Sequence, residues 1–199
     1  MKAIISMVII RLSPFALRRI LVLTAAILAL SALTCFGQPI LFPVKSTPYD
    51  QQMERIEPIL NCSAISSEHQ IPLALVNHWI RDLRAIPYRF SVPWKTPLEV
   101  AREAVADCKG KAVALYQQLQ ANGAQNLRLV IGKRTPISGG THTWVEWTTP
   151  AATYVLDPTI NQSACSLAEI PTNSYIPYYA YAGTRKYRVT NPDVFLAGL

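Results

Sequence analysis

Cys108, His142 and Asp157 are the residues of this chain whose types could do chemistry together. A thiol, an imidazole and a carboxylate are the parts needed to make, aim and hold a nucleophile. The thiolate is the reactive form, and a helix N-terminus or a neighbouring imidazolium favours it. A carboxylate beside the imidazole fixes its tautomer and orientation. Taken singly, each residue has an ordinary structural role. Cysteines at helix starts are usually structural, strand histidines are usually satisfied, and an aspartate before Pro158 caps a turn. What sets these three apart is where the surrounding sequence puts them.

The elements that must position them can be read locally. Thr96-Pro97-Leu98-Glu99 carries two helix-start signals, a capping box and a proline in the first turn, and predicts a helix running towards Ala106. A second helix starts at Asp107-Cys108 and stops at Asn122-Gly123. Its residues Ala112, Leu115, Tyr116 and Leu119 form one stripe, and Cys108 falls on that inward face. Upstream, residues 71–87 have the spacing of an amphipathic helix. Downstream, residues 126–133, 141–147 and 153–157 alternate or are rich in β-branched and aromatic side chains, which predicts strands. A hairpin loop over Thr148–Ala151 would put His142 directly opposite Asp157, on the face that also carries Trp144 and Glu146. A one-residue slip would send the two to opposite faces. The tail, with Tyr175, Tyr178, Tyr179, Tyr181 and Tyr187, reads as cover for a core edge or a wall of a cleft. The class is α+β, helices first and then an antiparallel sheet.

Across the whole chain, 50% of residues are apolar and 16% charged, a globular balance. Lys2, Arg11, Arg18 and Arg19 lie in a leader with no acid among them, so the net charge of +7 overstates how basic the rest is. With no basic run interleaved with aromatics, nucleic-acid binding is not expected. Residues 1–37 read as a signal peptide or an N-terminal membrane anchor, with anchoring through residues 20–36. Either places the domain in an exported compartment, the periplasm or its face of the inner membrane. Residues 38–69 form a lead-in segment and 70–199 the main domain. Outside the leader, Cys62, Cys108 and Cys165 are an odd set. Cys62 could pair with Cys165 and leave Cys108 free, or all three could stay reduced.

Four segments together resemble the core of the transglutaminase-like superfamily, most nearly the bacterial transglutaminase-like cysteine proteinases. They are Trp94-Lys-Thr-Pro-Leu-Glu99, Asp107-Cys108-Lys-Gly-Lys-Ala112, His142-Thr-Trp-Val-Glu146 and Leu156-Asp157-Pro158-Thr159. Val76-Asn77-His-Trp-Ile80 and Leu127-Arg-Leu-Val-Ile-Gly132 support the likeness, which spans residues 70–160. It implies a papain-like core with Cys108 as nucleophile, His142 as base and acid, and Asp157 as the group that orients the ring. It implies a protein or peptide substrate whose amide passes through a thioester. Water as acceptor gives proteolysis and an amine gives crosslinking; a non-catalytic binding module is the third possibility. Trp94 and Trp144 are the candidates for a substrate cleft or oxyanion site, with a core anchor the equal alternative for Trp94. Members of that group place acidic residues directly after the motif cysteine, and some bind calcium. This chain has Lys109 and Gly110 there, so neither metal nor cofactor is expected.

Overall fold

The computed structural model describes residues 39–62, 71–135, 140–171 and 173–190. The expected leader, Cys35, His69 and Gly139 lie outside the described residues. The described chain begins with strand β1 (Ile40–Val44), then two single-turn helices, α1 (Asp50–Met53) and α2 (Glu57–Leu60). Three longer helices follow, α3 (Leu73–Ala85), α4 (Pro97–Glu103) and α5 (Cys108–Ala121). The rest is β2 (Leu127–Arg134), β3 (His142–Thr148), β4 (Thr153–Leu156), β5 (Cys165–Ser166), β6 (Tyr175–Ala182) and β7 (Arg185–Thr190). All seven strands form one sheet in the order β1-β7-β6-β2-β3-β4-β5, and every pairing is antiparallel. Among the described residues no helix is long and apolar enough to cross a membrane.

Helix α5 is the hub. Cys108, Gly110, Lys111, Ala112, Val113, Leu115, Tyr116, Leu119 and Gln120 are all buried, so the helix is enclosed on most sides rather than along the single stripe its spacing predicts. One side packs Leu115 and Leu119 against Leu129, Ile131, Val145 and Trp147 of the sheet. Another receives α4 at Gly110, where an added Cβ would lie 3.1 Å from Val100 Cγ2. The opposite face of the sheet has its own core, built on Val130, Trp144, Val155, Tyr175 and Val189.

Three expectations change. The lead-in segment contributes β1, which pairs with β7 at the sheet edge. The tyrosine-rich tail is β6 and β7, part of the sheet and not a cover over it. Helix α4 stops at Glu103, not Ala106, because Ala104 takes a left-handed conformation with φ 52° and turns the chain. That turn lets Ala106 bridge to Tyr88, with Arg89 N–H donating to Ala106 O at 3.2 Å and Ala106 N–H donating to Pro87 O at 3.1 Å.

Candidate active site

The start of α5 is fastened from both sides. Asp107 caps it, its Oδ1 accepting the Gly110 N–H at 3.1 Å. The second carboxylate oxygen accepts the Ser91 N–H at 3.1 Å and pairs with Lys109 Nζ. Lys109 Nζ also donates to Ser91 O at 2.9 Å. The loop after Tyr88 is thereby tied to the first turn of the helix, with Cys108 between them, buried at 6% exposure. Tyr88 lies near enough to Cys108 and Asp107 for both to act on its phenol. Its phenol is pushed up to about 12, by burial first and then by Cys108 and Asp107. First-turn amides of a helix, that of Cys108 among them, have no partner within the helix.

His142 opens β3, where it pairs with Gly132 of β2. The hairpin that carries it is set two residues away from the expected register. Thr148 pairs with Thr153 and Val145 with Leu156, so Asp157 comes level with Trp144 and not with His142. The reason lies in the turn: the Thr149 hydroxyl accepts the Ala151 and Ala152 N–H groups at 3.2 and 3.1 Å and leaves Thr148 in the strand. A slip of two keeps every side chain on its face. The pair is therefore diagonal instead of directly opposed, and it still meets: His142 Nε2 lies 2.8 Å from Asp157 Oδ2.

Asp157 is wholly buried and fully partnered. Its Oδ1 accepts the Thr159 and Ile160 N–H groups at 3.0 and 3.3 Å. Its Oδ2 accepts the Tyr175 hydroxyl at 3.0 Å as well as the ring of His142. With Nε2 committed to the carboxylate, Nδ1 is the ring nitrogen left for the sulfur. Burial works against charge on the ring. The hydrogen bond to Asp157, the nearness of Cys108 and the charges of both outweigh it and raise His142 from 6.5 to about 9. The sheet face of His142 is the one away from the main body of α5. Ring and sulfur come together because both stand at the ends of their elements, the first residue of a strand and the first of a helix.

Trp94 and Trp144, expected at a substrate cleft or oxyanion site, are 1% and 0% exposed, and Trp94 Nε1 has no hydrogen-bond partner among the described residues. Trp94 belongs to the core around α5. Trp144 is a support for the ring: it stacks on His142 at 6.2 Å and meets Tyr175 edge-on at 5.1 Å. Its own Nε1 donates to Glu146 at 3.4 Å, and Arg128 pairs with Glu146 at 2.9 Å. Gly132 makes room for it, since an added Cβ there would lie 2.7 Å from Trp144 Cη2. Lys109 and Lys111 are not solvated surface charges: Lys109 is held by Asp107, and Lys111 is 2% exposed. Cys62 and Cys165 are free thiols, the first exposed near α2 and the second on β5, so the bridge between them is not made. His78 lies on the surface beside Asp82 at 3.3 Å.

Two residues of the site escaped the sequence reading. Tyr88 follows Ile86-Pro87 in a stretch with no periodicity, and only the bridge to Ala106 brings it to the sulfur. Tyr175 was one tyrosine among several in the tail. A hint lay in its β-rich neighbourhood, but nothing local joins it to Asp157, which it reaches through the pairing of β6 with β2.

No family model matches the sequence, and no curated protein does. Solved structures do. The calcium-bound form of LapG from Legionella pneumophila superposes with a TM-score of 0.51 at 12% identity, covering 72% of this chain and 81% of that one. A second LapG structure gives 0.52 at 15% identity, covering 76% of this chain and 85% of that one. An EGTA-treated form gives 0.52 as well. LapG is a transglutaminase-like cysteine protease. At this identity the likeness is one of fold, and at that level the expected papain-like, transglutaminase-like α+β architecture holds.

Proposed function

We propose that this chain is an exported cysteine hydrolase that cleaves a peptide bond through Cys108, His142 and Asp157. The observation that carries the reading is the ring of His142 at the head of β3, held by Asp157 Oδ2 at 2.8 Å and near enough to Cys108, at the head of α5, for thiol and carboxylate together to raise it above its ordinary value. A ring that stays protonated at neutral pH beside a thiol favours the thiolate. The sulfur adds to the amide carbonyl, and the oxyanion that forms is met by the Cys108 backbone N–H at the start of α5. His142 gives its proton to the leaving nitrogen as the C–N bond breaks, which leaves a thioester. The ring then takes a proton from water, the hydroxide oxygen adds to the thioester carbonyl, and the C–S bond breaks to release the acid and the thiolate. Asp157 keeps Nε2 as donor throughout, and Tyr175 and Trp144 hold Asp157 and the ring in place. Export rests on the leader at 1–37.

The residues around Cys108 do not suit a calcium ion. The Asp107 carboxylate is already taken by the Lys109 ammonium and two backbone N–H groups. Among the described residues no group of three His, Cys, Asp or Glu side chains is placed to hold a metal. No step above runs through one.

Peptide cleavage run beside amine incorporation tests the reaction: hydrolysis predicts a free carboxylate product and a Cys108 thioester trapped by acid quench. Iodoacetamide should label Cys108 at pH 6 faster than a free thiol, and His142→Ala should remove that advantage while the circular dichroism spectrum stays the same. Wild-type labelling no faster than a free thiol would end this reading.

A further inference from the structure

Lys111 lies one helical turn beyond Cys108 and is 2% exposed, and the reaction just described makes no use of it. Its Nζ donates to the carbonyl oxygens of Arg84 at 3.2 Å and Ile86 at 2.6 Å. Carbonyl dipoles solvate an ammonium without cancelling its charge, and a buried charge without a counter-ion is costly. Arg81 and Arg84 stand beside it. Among the described residues, none of the three cations is in an ion pair.

All three line one cavity of about 500 Å³, together with Tyr88, Thr159 and Gln162. The lining has three cations and no acid. Burial, and then the charge of Arg84, hold the Lys111 ammonium below its ordinary value, and Asp157 is the one group that opposes them. One wall also carries an idle polar atom: Thr159 Oγ1 is buried with no hydrogen-bond partner among the described residues. The cavity lies beside the first turn of α5: Lys111, one turn beyond Cys108, lines it, and so does Tyr88, whose phenol is close enough to feel Cys108.

We infer that this cavity receives a carboxylate of the substrate chain, gripped by Arg81, Arg84 and Lys111, beside the bond that Cys108 attacks. The inference rests on Cys108 being the nucleophile of the proposed hydrolase. A carboxylate supplies the missing negative charge and accepts several N–H groups at once, and charge-assisted bonds of this kind are the strong ones. The two arginines are exposed at the rim and free to close on it, while Lys111 is fixed at the floor. The carboxylate can come from an aspartate or glutamate side chain or from the C-terminus of the substrate.

Two measurements on the full chain test this. The first compares iodoacetate with iodoacetamide, read by mass spectrometry on the Cys108 peptide, and needs no peptidase activity. The anionic reagent should be favoured about tenfold over its ratio on a free thiol. Arg84→Glu and Arg81→Glu, both at exposed positions, should erase the preference, and added salt should weaken it. The second compares matched peptides: an amidated peptide with an internal glutamate, its glutamine counterpart, and the glutamine peptide with a free C-terminus. A tenfold gain in kcat/KM for the first over the second assigns a side chain, and a gain for the third assigns the terminus. In Arg84→Glu the gain should vanish or pass to a lysine peptide. An alkylation ratio equal to that of a free thiol, or unmoved by both charge reversals, overturns the inference even if peptides are cleaved. A selective ratio without any cleavage would instead retain the anion site and discard the hydrolase.

Discussion

Asp157→Asn is the sharpest perturbation of this site, because it removes one charge and almost no volume. The asparagine carbonyl can still accept the Thr159 and Ile160 N–H groups that Asp157 Oδ1 now takes at 3.0 and 3.3 Å. The amide nitrogen replaces Oδ2, which faces two donors, His142 Nε2 at 2.8 Å and Tyr175 Oη at 3.0 Å. The protonated ring then loses its anion and its acceptor together. His142 is raised from 6.5 to about 9 against the opposing effect of its burial. Loss of most of that rise amounts to about 3 kcal/mol. The chain has three histidines, so the His142 ring can be followed by NMR as it titrates. Its midpoint should lie near 9 in the wild type and fall towards the ordinary imidazole value in Asp157→Asn. The sign for stability follows. A histidine whose folded value is raised stabilises fully below its unfolded value near 6.5 and loses that contribution as pH rises through about 9. The wild-type Tm should therefore decline between those limits, and the variant should show a smaller decline from a lower start. Peptide cleavage should drop about a hundredfold or more, with its alkaline limb moved to lower pH. A His142 midpoint unchanged by the substitution would refute the argument.

Gly132→Ala should destabilise the fold by about 3 kcal/mol in urea unfolding. The added Cβ would come 2.2 Å from Ile176 O, 2.8 Å from Pro177 Cα and 2.7 Å from Trp144 Cη2, and the first two are backbone atoms that cannot turn aside. Because Gly132 pairs with His142 and Trp144 stacks on its ring, Cys108 labelling should slow by more than the folded fraction accounts for; equal losses would show that the ring does not depend on this packing. Calcium or EGTA should leave both Tm and cleavage unchanged, since the Lys109 ammonium already pairs with Asp107. A calcium-dependent rise in Tm would show that this lysine is displaced.

The parts of the site that can be read along the chain are those governed by neighbours three or four residues away. The capping box of Thr96 and Glu99 is present as expected, with the Thr96 N–H donating to Glu99 Oε2 at 2.8 Å. Asp107 caps the helix that Cys108 opens. Strand alternation puts His142 and Trp144 on one face, and that parity survived a hairpin register set two residues away from the expected one. Capping and pleating are local geometry, and a sequence states them directly.

Tertiary structure decided what lies between distant segments. The bridge from Tyr88 to Ala106 brings a phenol to the thiol, and the pairing of β6 with β2 carries Tyr175 to Asp157. The enclosure of α5 by the sheet and the other helices turned Lys111, an ordinary helical lysine by sequence, into a buried cation facing a cavity. Residue types and local spacing thus determined which groups could react and which way each would point. Burial and the partners of each charge depend on contacts between residues far apart in the chain, and only the assembled fold could supply those.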